Sequence, residues 1–172
     1  MQSDKNVLFV IAQKDFRDEE YEDSRKVIEE AGIGIKVASS TAGECYGING
    51  LVIQADIDFS QAETNDFDGV VFVGGPGVQQ YFADETVLGL AKQFALEGKL
   101  ICAICWAPVI LANAGLLKGK KVTAWSGAKD DLMKAGAIFS PQMVMVDGNI
   151  VTADGPGSAA EFGQKIADIL IG

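Results

Sequence analysis

One of the three cysteines in this 172-residue chain is placed for chemistry. Cys105 lies in the run LICAICWAP, where an apolar stretch that reads as a strand gives way within a few residues to Pro108, which suits the first turn of a helix. A nucleophile held on so tight a strand-to-helix turn needs small residues two before it and two after. Ala103 and Ala107 stand there. The following helix would aim its free N–H groups and positive dipole end at the sulfur. That favours thiolate over thiol and draws the pKa from ~8.5 towards ~3.5 to 7.5.

A free cysteine is more often a small buried hydrophobe, but a core residue needs neither the turn nor the small flanking pair. Cys102 completes a CxxC with Cys105, the spacing of thioredoxin-type redox pairs. In those pairs both cysteines sit at a helix N-terminus, whereas Cys102 lies inside the apolar run and reads as core packing. With Cys45 the cysteines are three, too few and odd in number for a disulfide framework. Free thiols in a reducing compartment are expected.

Two further groups of residues should reach the same place. Gly74-Gly75-Pro76-Gly77 ends an apolar strand (GVVFV), and its backbone N–H groups could join that of Trp106 as an oxyanion hole; a plain β-to-α turn would also use such glycines. The turn lacks the lysine of a P-loop and the spacing of a dinucleotide fingerprint. Asp18-Glu19-Glu20 opens the helix after the first strand, where carboxylates usually just complement the dipole.

Absences narrow the chemistry. The chain has no histidine, so no Cys-His or Ser-His-Asp mechanism can be built from it, and the usual zinc-ligand spacings are missing. Neither a metal nor a cofactor is expected. With 14 basic and 24 acidic residues the net charge is −10, which would repel nucleic acid. No run resembles a signal peptide or approaches the ~18 apolar residues of a membrane span, so a cytoplasmic protein is expected.

The elements that must position these residues follow one phase. Val7 to Ala12, Gly34 to Ala38, Gly69 to Val73 and Lys99 to Ala103 read as buried strands. Helices are expected over Glu19 to Ala31, Thr86 to Glu97 and Pro108 to Ala114, with Gly32 and Gly115 as C-caps. Ser39 to Asp58 reads as a loop with small strands. Short strands at Val122 to Ala124, Val144 to Val146 and Asn149 to Thr152 precede a closing helix from about Ser158 to Leu170. Such alternation predicts an α/β fold, a three-layer α/β/α sandwich of flavodoxin-like outline with a mostly parallel sheet and a nucleophile elbow. Residues 1–172 are expected to form one domain, large enough to bury about 70% of its unfolded surface.

Four segments together resemble the DJ-1/ThiJ/PfpI superfamily, a class I glutamine amidotransferase-like group, over nearly the whole chain. They are DFRDEEYEDSRKVIEEAG, DGVVFVGGPG, AICWAP followed by ILANAGLLKGKKVT, and DGNIVTADGPGSAAEFGQKIADIL. In the family's FxDxE pattern Phe16, Asp18 and Glu20 fall into place. The resemblance implies that Glu20 is the buried glutamic acid contacting the reactive cysteine, and that Gly75 and Trp106 hold the oxyanion N–H groups, with Gly74 and Trp125 at the pocket. A carboxyl desolvated beside sulfur would stay protonated and donate to it.

This sequence also departs from the family. Many members carry histidine directly after the cysteine, where Trp106 stands, or in a VTTHP-like run, where VTAWSGAKDD places Trp125. An arginine before GPG is replaced by Asp154. The implied function is addition of the Cys105 thiolate to a small reactive carbonyl, glyoxalase- or deglycase-like, in stress protection. The alternatives are a non-catalytic redox sensor and a peptidase or amidase, the latter lacking its base. A homodimer is implied, with the short acidic helix that carries Tyr21 or the apolar stretch Leu51 to Ile53 as candidate contacts.

Overall fold

Residues 2–172 are described by a computed structural model. The chain opens with β1 (Asn6–Val10), whose last four residues are buried as a two-sided apolar run requires. It continues through β2 (Lys14–Phe16), α1 (Asp18–Glu30), β3 (Gly34–Ser39), β4 (Gly43–Gly47), β5 (Val52–Ala55), β6 (Ile57–Asp58) and β7 (Gly69–Phe72). Then come α2 (Glu85–Leu96), β8 (Leu100–Ile104), α3 (Pro108–Asn113), β9 (Lys121–Val122), α4 (Lys129–Lys134), β10 (Ile138–Phe139), β11 (Val144–Asp147), β12 (Ile150–Ala153) and α5 (Ala159–Ile171).

Seven strands form the central sheet in the order β11-β12-β8-β7-β1-β3-β6. Every neighbouring pair is parallel except β11 with β12. Helices α1 and α5 pack on each other, as do α2 and α3, and these pairs clothe the sheet in the expected three-layer α/β/α arrangement of flavodoxin type. From β1 the chain crosses to β3 on one side, while β7 and β8 lie on the other. Ligands of open α/β sheets bind beyond the carboxyl ends of strands at such a reversal. β1, β7 and β8 are consecutive in the sheet, and each leads into one segment of the site.

Small differences from the sequence reading have local causes. β8 runs to Ile104, one residue further than expected, which leaves a turn of only Cys105 to Ala107 before α3. Gly74-Gly75-Pro76-Gly77 leads into a 3₁₀ turn over Pro76–Tyr81 rather than directly into α2, whose start is set by Asp84 accepting from Thr86 N and Val87 N. β2, β10 and α4 were not anticipated, being too short for hydrophobic periodicity to register. Tyr21, a candidate dimer contact, is only 4% exposed and packs edge-on against Phe9 and Phe16, so its ring belongs to the core.

Candidate active site

Cys105 follows β8 with φ +62°, a left-handed conformation that costs a non-glycine residue of order 1–3 kcal/mol. Its N–H donates to Ala153 O (2.9 Å), and its carbonyl accepts from Trp125 N (2.9 Å). These bonds to β12 and to the segment after β9 hold the strained turn. Ala103 and Ala107 are fully buried on either side of it. Asp15, also at φ +62°, is the other non-glycine residue of positive φ among the described residues, and it flanks the same loop.

Residues Asp15 to Glu20 are clamped to the glycine turn. Arg17 N donates to Gly74 O (3.0 Å), and Gly74 N donates to Glu20 Oε1 (3.0 Å). A Cβ on Gly74 would lie 2.6 Å from Glu20 Oε1, 2.7 Å from Ile104 O and 2.9 Å from Cys105 Cβ, so only glycine lets carboxyl and elbow approach. Gly75 has φ +106°, and a Cβ there would meet Arg17 N and Asp15 O at 2.6 Å. The three adjacent acidic residues meet three fates. Asp18 is buried and accepts from Asn49 N and Leu51 N, fixing the turn between β4 and β5. Glu19 sits outside, paired with Arg17 Nε at 3.1 Å. Glu20 is 0% exposed.

Glu20 Oε2 is buried with no partner of hydrogen-bonding geometry, yet the carboxyl lies close enough to the Cys105 thiol for each to bias the other's ionisation. Burial pushes Glu20 up to about 8, against smaller downward pulls from Cys105, Gly74 N–H and Arg17. Cys105 is pushed up to about 12 by burial and then by the Glu20 carboxylate, opposed by Trp106 N–H and Arg17. This corrects the expectation of a lowered thiol pKa: burial of the sulfur and the neighbouring Glu20 charge outweigh the Trp106 N–H and Arg17. The two groups titrate as one coupled pair whose first proton leaves near pH 8, with the thiol the harder of the two to ionise.

The pocket above the sulfur, of about 370 Å³, is lined by Arg17, Glu20, Gly75, Pro76, Cys105, Trp106, Trp125 and Pro156. Gly74 supports Glu20 from behind and does not line it. Cys102 and Cys45 are buried elsewhere in the core. A wider groove of about 730 Å³ lies along α1, but charged surface side chains dominate it and none of the cysteines lines it. Sequence reasoning missed Arg17, Pro76 and Pro156. Arg17 could have been found from its place inside the FxDxE run, next to Asp18.

Comparison with known proteins is consistent along the whole chain. The sequence model of the DJ-1/PfpI family matches residues 5–169. The chain belongs to the DJ-1/PfpI family. Among DJ-1/PfpI relatives, the deglycase PfpI of Pyrococcus furiosus is 31% identical over 95% of this chain and 98% of its own length. The crystal structure of a ThiJ/PfpI domain protein from Brachyspira murdochii superposes with a TM-score of 0.95 at 36% identity, covering 99% of this chain and 98% of that one. DJ-1beta of Drosophila melanogaster gives 0.89 at 31% identity, covering 99% and 91%. Within this DJ-1/PfpI framework, Arg17 at the pocket mouth supplies a cation, while Asp154 is engaged by Ser158 Oγ at 2.7 Å.

Proposed function

We propose that this DJ-1/PfpI protein is a cofactor-free enzyme acting on small reactive carbonyls, of which 2-oxoaldehydes are the type, with Cys105 as nucleophile and Glu20 as proton relay. The observation that carries this reading is the juxtaposition of the strained, half-buried Cys105 with a carboxyl whose Oε2 lacks a partner and which lines the same pocket. Relatives named as deglycases support it.

The reactive species is the monoanion of the pair. Glu20 takes the thiol proton as sulfur attacks the aldehyde carbon, the C=O π pair moves to oxygen, and the proton now held by Glu20 is delivered there. The result is a neutral hemithioacetal facing a Glu20 carboxylate. Glu20 then takes the proton from the former aldehyde carbon, giving an enediolate, and returns it to the adjacent carbon while the hydroxyl proton on the first carbon's oxygen passes to the neighbouring oxygen, so the first carbon regains its C=O as a 2-hydroxy thioester. Water hydrolyses the thioester to the 2-hydroxy acid and restores the pair, so no outside oxidant or reductant is consumed. The backbone N–H groups of Gly75 and Trp106 would stabilise the developing oxyanion, and neither donates to a carbonyl among the described residues.

The deciding experiment is conversion of methylglyoxal to lactate by wild type and Cys105→Ser. Loss of at least about 10³-fold in the variant is expected for removal of a nucleophile; undiminished turnover would overturn the reading.

One observation favours a second reading, oxidation sensing: Cys105 is the only cysteine that is not fully enclosed. Mass spectrometry after mild peroxide should then find sulfenic or sulfinic acid at Cys105 alone, and even or absent oxidation would dismiss it. A peptidase still lacks a histidine base. We include in the proposal a homodimer, with the outer face of α1 or Leu51 to Ile53 as candidate contacts, which light scattering tests.

A further inference from the structure

The two tryptophans of the chain both line the pocket, and their arrangement bears on what enters it. Trp106, directly after the nucleophile, meets Trp125 edge-to-face with ring centroids 5.1 Å apart and planes at 64°. Its other side meets Phe82 at 5.7 Å and 71°. The three rings make a ladder from α2's approach to the pocket rim, in the geometry aromatic quadrupoles favour. Trp125 is 44% exposed yet seated: its backbone N–H donates to Cys105 O, and its ring lies over Gly127, where any Cβ would clash with it.

Exposure orders the site by depth. Glu20 is fully enclosed, Cys105 is partly so, and Trp125 stands at the rim. The groups able to act on a carbonyl therefore lie below, while beyond them the walls are two indoles and the rings of Pro76 and Pro156. Proline offers no N–H, and Arg17, the remaining polar side chain, already spends Nε on Glu19. A volume of about 370 Å³ falls at the lower end of sites that take organic ligands. A methyl substituent would leave most of this apolar wall bare.

We propose that Trp106 and Trp125 form a specificity wall for an aryl group, and that the preferred substrates are 2-oxoaldehydes bearing an aromatic substituent, phenylglyoxal being the simplest. This rests on the carbonyl-addition reading of Cys105. The reactive end enters towards Cys105 and Glu20, and the ring lies against the indoles, taking the edge or face that Trp106 and Trp125 leave open to the pocket.

Two measurements test it. In Cys105→Ser, which cannot turn over, benzamide serves as an unreactive aryl probe and acetamide as its control. Because both tryptophans stand at the pocket, their emission reports on this site alone. Saturable change with benzamide and none with acetamide is expected, with affinity falling about tenfold or more in Cys105→Ser carrying Trp125→Ala and largely restored by Trp125→Phe. In the second, kcat/KM for phenylglyoxal should exceed that for methylglyoxal by about tenfold or more, with Cys105→Ser as the blank, and Trp125→Ala should bring the ratio towards one.

Turnover of methylglyoxal with no aryl preference and no benzamide binding would overturn the wall while leaving the carbonyl reading intact. Benzamide binding with neither aldehyde consumed would uphold the wall and overturn the carbonyl reading.

Discussion

At the scale of single residues, the site is a pair of acids that burial holds in their neutral forms. Glu20 titrates in the fold near 8 against 4.5 when exposed, so between these values the folded chain binds more protons than the unfolded one. Stability must therefore fall as pH rises from about 4.5 to about 8. Glu20→Gln should remove most of this slope and be more stable than wild type at pH 8.5, by roughly 2–4 kcal/mol, as read by chemical denaturation at several pH values. Alkylation of Cys105 probes the pair from the sulfur side. In wild type the rate should climb through about pH 8 as Glu20 becomes a carboxylate able to take the thiol proton. In Glu20→Gln the thiol ionises alone, free of the carboxylate charge that helps raise it, so the profile becomes a single step at a different position. Superimposable profiles would break the contact and reduce Glu20 to a residue that merely complements the α1 dipole.

At the scale of elements, the elbow after β8 is where strain is stored. A residue at φ +62° gains from losing its Cβ, so Cys105→Gly should be more stable than Cys105→Ala by about 1 kcal/mol, seen as a higher Tm. An equal or lower Tm for the glycine variant would mean the turn is not strained in solution. The spacing of small residues around Cys105 made this elbow legible, because steric fit at a tight turn is decided within two residues on either side. The same holds for Gly32 and Gly115, both at positive φ where helices were expected to end. The 3₁₀ turn after Pro76 and the short β2 were not legible. Their backbones follow from contact with each other: a Cβ on Gly77 would come within 1.9 Å of Lys14 O, which lies far away in sequence.

At the scale of the whole molecule, the site depends on how tightly α1 is drawn to the sheet and to α5. The two helices touch where Gly163 faces Ser24, and a Cβ on Gly163 would lie 2.7 Å from Ser24 O and 3.0 Å from its Cα. Both are backbone atoms and cannot rotate away. Gly163→Ala should therefore cost about 1–3 kcal/mol by overpacking, measured by urea denaturation. Because α1 also carries Glu20 four residues before Ser24, the variant should shift the pH profile of Cys105 alkylation although residue 163 lies outside the pocket. A stability loss with an unchanged profile would show that α1 yields elsewhere and that the pair is held by the glycine turn alone.

The sequence by itself determined the layered α/β class, the elbow at Cys105 and the exclusion of any histidine-based mechanism. Each of these rests on residue identity or on neighbours within a few positions. It also placed Glu20 beside the cysteine, but only through a motif shared with a family. Nothing local distinguishes Glu20 from Glu19, one of which is sealed inside while the other meets solvent. The tertiary structure alone decided the rest: that Gly74, 54 residues away, holds Glu20, that Arg17 and two prolines complete the pocket, and that the thiol pKa rises instead of falling. Ionisation responds to desolvation, and desolvation is a property of every segment packed around a group, so the sign of the shift at Cys105 was settled only once β1, β7, β8 and α1 had closed over it.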